Sequence, residues 1–562
     1  MRHILRPPAA LGAVALGAAL LVLPTGTATA ASWPLPTSAP PTGAYADNPD
    51  VAIGPDGTIV LAADVYDETT HLSHVVTSSR PPRGTWSAPV KLGSGSSNRS
   101  TEPDIAIGPD GTTTIAWRDE VSEDDWVVMA STRPPGGTWS TPQPLSVVGV
   151  DEYVAGHDNP EVSVAAATDG SVSAIWPQWV VDHFEIQSAV RSAAGLWSAP
   201  QTLGVDNWTA RKPAIAAGPD GSVIAAWAGG STTDTGTRLV VRQGAGPWSA
   251  PVRIGDGLYG APTIAFAPDG TAGVVWANGY GKPTITTRSP GGAWATPTVI
   301  SPIPVNDEEL ELAAGAGPTF HAVWTSDEAG DYDQEHVYAA TGSPGGQWLY
   351  QAIAAATSGS PKLAIESDGT AVAMWLWRPP GSYGSSDIQA SVKTPGGIWE
   401  SPSTVRDVAD DVYTYQVALA TGPAGSLVAL WNESDEDGAG TTYAVIEDPA
   451  APDTGVITGP KRITPKKKAR FAFTGPAGAT YECRVDTTLK QQHGITGTTK
   501  KARKKSKKKG KQPVPWRACT SPYVVNAKAL RLTSGKHTVY VRAEQYGVAD
   551  PTPSALKVRV KR

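Results

Sequence analysis

This sequence predicts an all-β protein: a β-propeller of eight blades, or seven as the alternative, followed by a smaller β-sandwich. Three observations carry the prediction. Eight times a short hydrophobic run ends in a Gly-Pro-Asp-Gly-like turn, and a strand ending in Trp usually follows. The clearest copies are 105–117 (IAIGPDGTTTIAW), 215–227 (IAAGPDGSVIAAW) and 264–276 (IAFAPDGTAGVVW), with weaker ones at 51–64, 162–176, 312–324, 363–375 and 417–431. Between them recurs a Pro/Gly turn, then Trp, then a Ser-x-Pro-like stretch, as in 80–89 (RPPRGTWSAP), 133–142 (RPPGGTWSTP) and 394–402 (TPGGIWESP). Finally, the turn residues Asp56, Asp110, Asp169, Asp220, Asp269 and Asp368, with Gly317 in the sixth turn, keep a spacing of roughly fifty residues. Short strands and turns at that period belong to propellers and related arrays.

Taken in order, residues 1–30 read as a secretory signal peptide. Arg2, His3 and Arg6 precede an apolar run at 9–23, and Ala28-Thr29-Ala30 is a small-residue cleavage site. The run is short for a membrane span, and no transmembrane segment is expected. The propeller is expected over 31–449, four strands to a repeat. Strand one ends at the GPDG turn, where Pro presets φ and Gly accepts positive φ. Strand two alternates toward the Trp, strand three runs into the Pro/Gly turn, and strand four holds Trp-Ser-x-Pro. Proline there marks an edge strand. Seven repeats end with this Trp, and the eighth, 416–447, lacks it. The mature N-terminus, Ala31-Ser32-Trp33-Pro34, supplies the missing piece, so the N-terminal strand is expected to close the ring and remove a free edge. The tryptophans Trp117, Trp176, Trp227, Trp276, Trp324, Trp375 and Trp431 are expected to pack between blades.

The net charge of −7 conceals two opposed halves. Residues 451–562 hold 26 Lys and Arg against 5 Asp and Glu, whereas 31–450 hold 18 against 48. Such halves have different partners or meet each other. Only Cys483 and Cys519 occur, and an even pair in an exported protein makes one disulfide.

In a four-stranded blade the GPDG and Pro/Gly turns share one face. The irregular, acidic connections lie on the other, where function concentrates on a rigid scaffold. Trp126, Trp179, Trp208 and Trp377 fall outside the repeat pattern and, with Arg118 and Arg378, are the ligand-binding candidates. Asp331, Asp333 and Glu335, and Asp435 with Asp437, have spacings that would wrap a hard cation such as Ca²⁺. No other cofactor is expected. G-x-S-x-G, H-E-x-x-H and P-loop motifs are absent from the sequence. A carboxylate pair drawn from two blades remains the route to glycoside hydrolysis.

The blade pattern resembles the sialidase-like and related multi-blade propellers of secreted bacterial proteins, in repeat length and turn style. The Asp-box Ser-x-Asp-x-Gly-x-Thr-Trp is missing, and Arg118 and Arg378 do not make the arginine triad a sialidase needs. The tail segments 453–460 (DTGVITGP), 469–473 (ARFAF), 481–485 (YECRV), 519–523 (CTSPY), 532–543 (LTSGKHTVYVRA) and 550–553 (DPTP) follow in the order of a bacterial immunoglobulin-like domain. That resemblance covers 450–562 and implies a Cys483–Cys519 disulfide. The chain departs from it at the insertion 491–512. Here Lys500, Lys501, Arg503, Lys504, Lys505, Lys507, Lys508, Lys509 and Lys511 form a basic block that cannot bury itself.

The function these features suggest is that of a secreted, monomeric, non-catalytic binding or adhesion protein. Its propeller loop face would recognise a carbohydrate or protein. Its basic block would hold anionic cell-envelope polymers, of teichoic or lipid type. Sequence-specific nucleic-acid binding is not expected, because no aromatics interleave with the lysines. The alternative is a sialidase-like glycoside hydrolase.

Overall fold

A computed structural model describes residues 33–561 except 43–44, 68–69, 94–99, 123–124, 148–149, 152–161, 181–182, 207–210, 232–233, 258–260, 307–309, 328–334, 356–358, 379–385, 410–411, 436–439, 487 and 489–512. Each repeat is organised by its first turn, which carries an aspartate in six of the eight. The turn aspartate accepts the backbone N–H of the residue two positions on, as in Asp56–Thr58, Asp110–Thr112, Asp169–Ser171 and Asp220–Ser222, each at 2.9 Å. The glycine between them adopts left-handed backbone, from Gly57 (φ +80°) to Gly369 (φ +89°), which a β-carbon resists. The flanking hydrophobic runs therefore fold back on each other as a hairpin.

Between Thr37 and Glu447 the described strands form eight successive antiparallel sheets, seven of four strands and one of five. Their first strands are Tyr45–Ile53, Ser100–Ile107, Ser163–Ala166, Arg211–Ala217, Thr263–Phe266, Leu310–Ala314, Gly359–Ile365 and Val412–Thr421. Each of these touches the first strand of the next sheet, and Val412–Thr421 returns to Tyr45–Ile53. The fold is thus all-β and of propeller type. Second strands are buried on both faces, completely so in Ala272–Ala277 and Phe320–Ser326. The Trp at their ends plugs the seam to the preceding sheet: Trp227 packs with Ile175, Ile186 and Leu203, and leaves no room for a side chain at Gly204. All seven such tryptophans are at most 1% exposed.

The ring is closed from the N-terminus, but four residues later than Trp33. The strand Thr37–Thr42 pairs antiparallel with Gly440–Glu447, Thr37 opposite Ala444. Trp33 precedes it and donates its indole N–H to Ser403 Oγ at 3.0 Å. The same offset corrects strand four wherever a proline follows the Trp; in the sixth sheet, where none does, Leu349–Ala355 starts directly after Trp348. After the Trp, one residue donates to strand three, as Ser87 N does to Ser79 O. Regular pairing resumes only past the proline, at Val90–Lys91 in the first sheet and Ser403–Arg406 in the seventh. Proline has no N–H to offer the ladder, so the strand starts beyond it.

Behind the ring, the chain leaves Gly440–Glu447 past Asp448. Its carboxylate accepts both guanidinium nitrogens of Arg80 (2.7 and 3.0 Å) and the backbone N–H of Arg83 (2.7 Å). Residues from Arg462 to Val560 then form two further sheets. The larger runs Arg462–Ile463, Ser554–Val560, Gly535–Gln545, Thr480–Val485, Arg517–Cys519, and the smaller pairs Ala469–Phe471 with Tyr523–Val525. Phe471, Val485, Val525, Val539 and Val541 fill the space between them. Cys483 and Cys519 form a disulfide with Cα atoms 5.8 Å apart. Among the described residues, no helix is long and apolar enough to cross a membrane.

Candidate functional site at the ring throat

Where the eight first strands converge, five of them carry an irregularity in their pairing, and in three of those five a non-glycine residue takes left-handed backbone. Asn48, Glu102 and Gln416 each lie six residues before the residue that opens the turn (Gly54, Gly108, Gly422). All three hold positive φ, at 47°, 55° and 41°. A left-handed non-glycine residue costs about 1–3 kcal/mol and persists only where its surroundings demand it. These three, in the eighth, first and second sheets, line a cavity of about 520 Å³. Asn48 and Gln416 join the first sheet to the eighth through a reciprocal amide contact. Asn48 N donates to Gln416 Oε1 at 2.7 Å, and Gln416 Nε2 donates to Asn48 Oδ1 at 2.8 Å.

Two residues deeper, one register laces sheet to sheet. Asp50 accepts the N–H of Ile105 in the second sheet at 2.8 Å, and Asp104 accepts that of Val164 in the third at 2.7 Å. Ser163 Oγ donates to the Pro213 carbonyl at 2.9 Å, and Thr263 Oγ1 to that of Leu310 at 2.6 Å. Lys362 donates to Glu311 Oε1 at 2.6 Å. Burial raises the Asp50 carboxyl to about 6. Asp104 is held well above the ordinary carboxylate range, first by burial and then by Asp50, to which it is hydrogen-bonded. Like carboxyls this close cannot both ionise freely, so they favour a shared proton.

A second acidic group sits beside Asn48. Burial raises Asp64 to about 6, with the Asp47 and Glu102 charges adding to it. Its Oδ1 is buried without a hydrogen-bond partner among the described atoms. Glu102 pairs with Arg118 at 3.0 Å, and the Arg118 guanidinium lies 4.3 Å from the Trp126 ring centre.

Of the residues singled out from sequence, Arg118 and Trp126 therefore do come together, but both are 1% exposed. Trp126 is a wall that seats Arg118 rather than an exposed stacking surface, because the guanidinium covers its ring. Trp179 packs edge-on against Phe184 at 4.8 Å. Trp377 donates to the Ala355 carbonyl at 3.2 Å, and Arg378 follows it in the seventh sheet, so these do not converge with Arg118. Glu335 is buried and Asp435 exposed at its strand end. Trp208, Asp331, Asp333, Asp437 and the nine basic residues of 500–511 lie outside the described residues. Among the described residues, no group of three or more His, Cys, Asp or Glu side chains is placed to hold a metal ion. The throat residues themselves escaped the sequence reading. The one available cue was the repeated polar-Pro-Asp of Asn48-Pro49-Asp50 and Glu102-Pro103-Asp104 just before the hydrophobic run.

No protein-family model and no curated protein matches the chain. Among solved structures it is similar to an ulvan lyase bound to -[GlcA(1-4)Rha3S]-, at 10% identity and TM-score 0.42 over 73% of this chain and 96% of that one. It is also similar to a protein of unknown function from Dyadobacter fermentans, at 12% identity and TM-score 0.39 over 75% and 99%. A third is the α-L-arabinofuranosidase Arb93A of Fusarium graminearum, at 13% identity and TM-score 0.35 over 62% and 92%. Likeness at this level does not transfer an activity.

Proposed function

We propose that the chain is a secreted, eight-bladed β-propeller carrying an immunoglobulin-like tail, and that it binds a carbohydrate in its axial throat without transforming it. The tail would keep it near anionic envelope polymers. The observation that carries the binding reading is the throat lining: amides, carboxyls and a hydroxyl drawn from different sheets around one cavity of about 520 Å³. That size is ordinary for a small-molecule site. Its charges are largely internally compensated, Lys362 by Glu311 and Glu102 by Arg118. An array rich in both donors and acceptors suits hydroxyl groups better than a net ionic ligand. The Asp50–Asp104 pair favours binding over turnover, because both carboxyls are engaged by backbone N–H groups. A hydrolytic pair stands roughly 5–9.5 Å apart with substrate between.

A glycan array run beside chromogenic glycosides tests this. We expect retention of a neutral oligosaccharide without turnover, weakened about tenfold or more in Glu102→Gln, the order expected for a hydrogen bond to a charged group. One observation favours a second reading, glycoside hydrolysis: Asp64, raised to about 6, neighbours the Arg118-paired Glu102, and acid–base pairs are built by separating two such environments. Turnover abolished by both Asp64→Asn and Glu102→Gln would establish hydrolysis and displace simple binding.

A further inference from the structure

The larger sheet of the tail buries one face and, among the described residues, leaves the other uncovered. Along Gly535–Gln545, His537, Val539, Val541 and Ala543 are buried, while Lys536, Thr538, Tyr540 and Arg542 alternate to the opposite side. The register extends that outer face across the sheet. Lys536 stands opposite Arg559 and Thr538 opposite Lys557. Arg484 stands opposite Tyr540, and Glu482 opposite Arg542. Arg462 lies beside Arg559 at the far strand. Six cations thus occupy one face: Arg462, Arg484, Lys536, Arg542, Lys557 and Arg559. Glu482 is held by Arg542 in an ion pair, and Glu544 sits at the end nearest the ring, beside Asp56 and Pro82.

This face is organised as well as charged. The guanidiniums of Arg484 and Arg542 lie 4.2 and 4.6 Å from the Trp516 ring centre, and Arg484 lies 5.4 Å from that of Tyr540. Arg484 Nε is buried without a partner among the described atoms. Stacking fixes the two forks before any ligand arrives, which lowers the ordering cost of binding. The cations run across four neighbouring strands, at roughly 4.8 Å per strand, so they form a track rather than a single pocket.

We propose that this sheet face, distinct from the 500–511 block and independent of the throat, binds a linear phosphodiester polymer that carries no bases. Four of its six cations are arginines; Arg542 is engaged by Glu482, and the forks of Arg462, Arg484 and Arg559 match the two free oxygens of a phosphodiester. The rings on the face, Trp516 and Tyr540, are already covered by guanidiniums. A nucleic acid strand would therefore find no free ring on which to stack a base.

The test uses the full chain and three probes: poly(glycerol phosphate), the carboxylate polymer hyaluronate, and an oligo-dT strand. Poly(glycerol phosphate) should bind most tightly, with affinity falling as salt rises. Lys557→Gln/Arg559→Gln, at two exposed positions, should weaken it at least tenfold, and adding Arg484→Gln should weaken it further. Replacing the nine basic residues of 500–511 by Ser should leave a salt-sensitive component that the sheet-face changes remove. The proposal is overturned by wild-type binding in Lys557→Gln/Arg559→Gln, or by tighter binding of hyaluronate or oligo-dT. Salt-sensitive self-association lost in that variant would also overturn it, since it would place a second copy's acidic ring on this face.

Discussion

Ring and tail hold their ends together by different chemistry. The ring is closed by a backbone ladder between Thr37–Thr42 and Gly440–Glu447, segments about as far apart in sequence as the ring allows. The tail joins two neighbouring strands through a covalent bond across 36 residues. Among the described residues, seven sheet-to-sheet seams are filled by a fully buried tryptophan with aliphatics and the closing seam by aliphatics around Leu61 and Leu430, so one further non-covalent strand suffices. The tail has a single small core around Phe471, the situation in which a small fold gains most from a disulfide.

Deleting residues 31–42 should break this comparison most severely. It removes a whole strand from the eighth sheet, exposes the Gly440–Glu447 edge and takes away the Trp33–Ser403 contact. We expect a loss above about 4 kcal/mol, the range reserved for gross structural damage, seen as a sharply lower melting temperature or aggregation. An unchanged melt would refute the closing role of this strand.

Cys483→Ser/Cys519→Ser should cost on the order of 3–4 kcal/mol in the chain-entropy account. If ring and tail are independently held, calorimetry will show only one transition moving. A concerted fall of both would mean that the Arg80–Asp448 clamp couples them tightly.

The smallest effect concerns pH and sharpens the ring side alone. Asp50 is raised to about 6 and Asp104 lies well above its ordinary value. A carboxyl raised on folding binds its proton more tightly in the folded chain. Its contribution is therefore present below the unfolded value near 4 and is lost as pH rises through 6. Carboxyls lowered in the fold, such as Asp110 and Asp169, act in the opposite sense and at lower pH. Wild-type stability of the ring should thus fall by roughly 2–3 kcal/mol between pH 4 and 7, and Asp104→Asn should flatten the slope. An identical slope in the variant would show that the lacing carboxyls do not titrate together.

Much of the ring was legible because its cues are local. A Pro-Asp-Gly turn needs only its own backbone angles and an aspartate two residues before the N–H it accepts, so Asp56 or Asp110 declares it within four residues. The buried seam tryptophans were legible for a related reason, since a large ring at the end of an alternating strand has few places to go. The throat was not legible. Asn48 and Gln416 are 368 residues apart and meet only when the ring closes, and nothing in either local sequence names the other. The sequence marks Trp126 as a ligand-binding candidate but not its burial, because its cover, Arg118, lies across the hairpin, and composition does not show which ring a guanidinium will choose.

The sequence by itself determined the β class, the repeat, the turn face, the charge opposition between ring and tail, and the pairing of the two cysteines. These depend on interactions spanning a few residues or on totals over a segment. Only the tertiary structure decided which polar groups would face the axis. There a carboxyl's protonation, an arginine's partner and a strained φ at Glu102 are set by neighbours from other sheets, and burial makes those long-range contacts outweigh local preference.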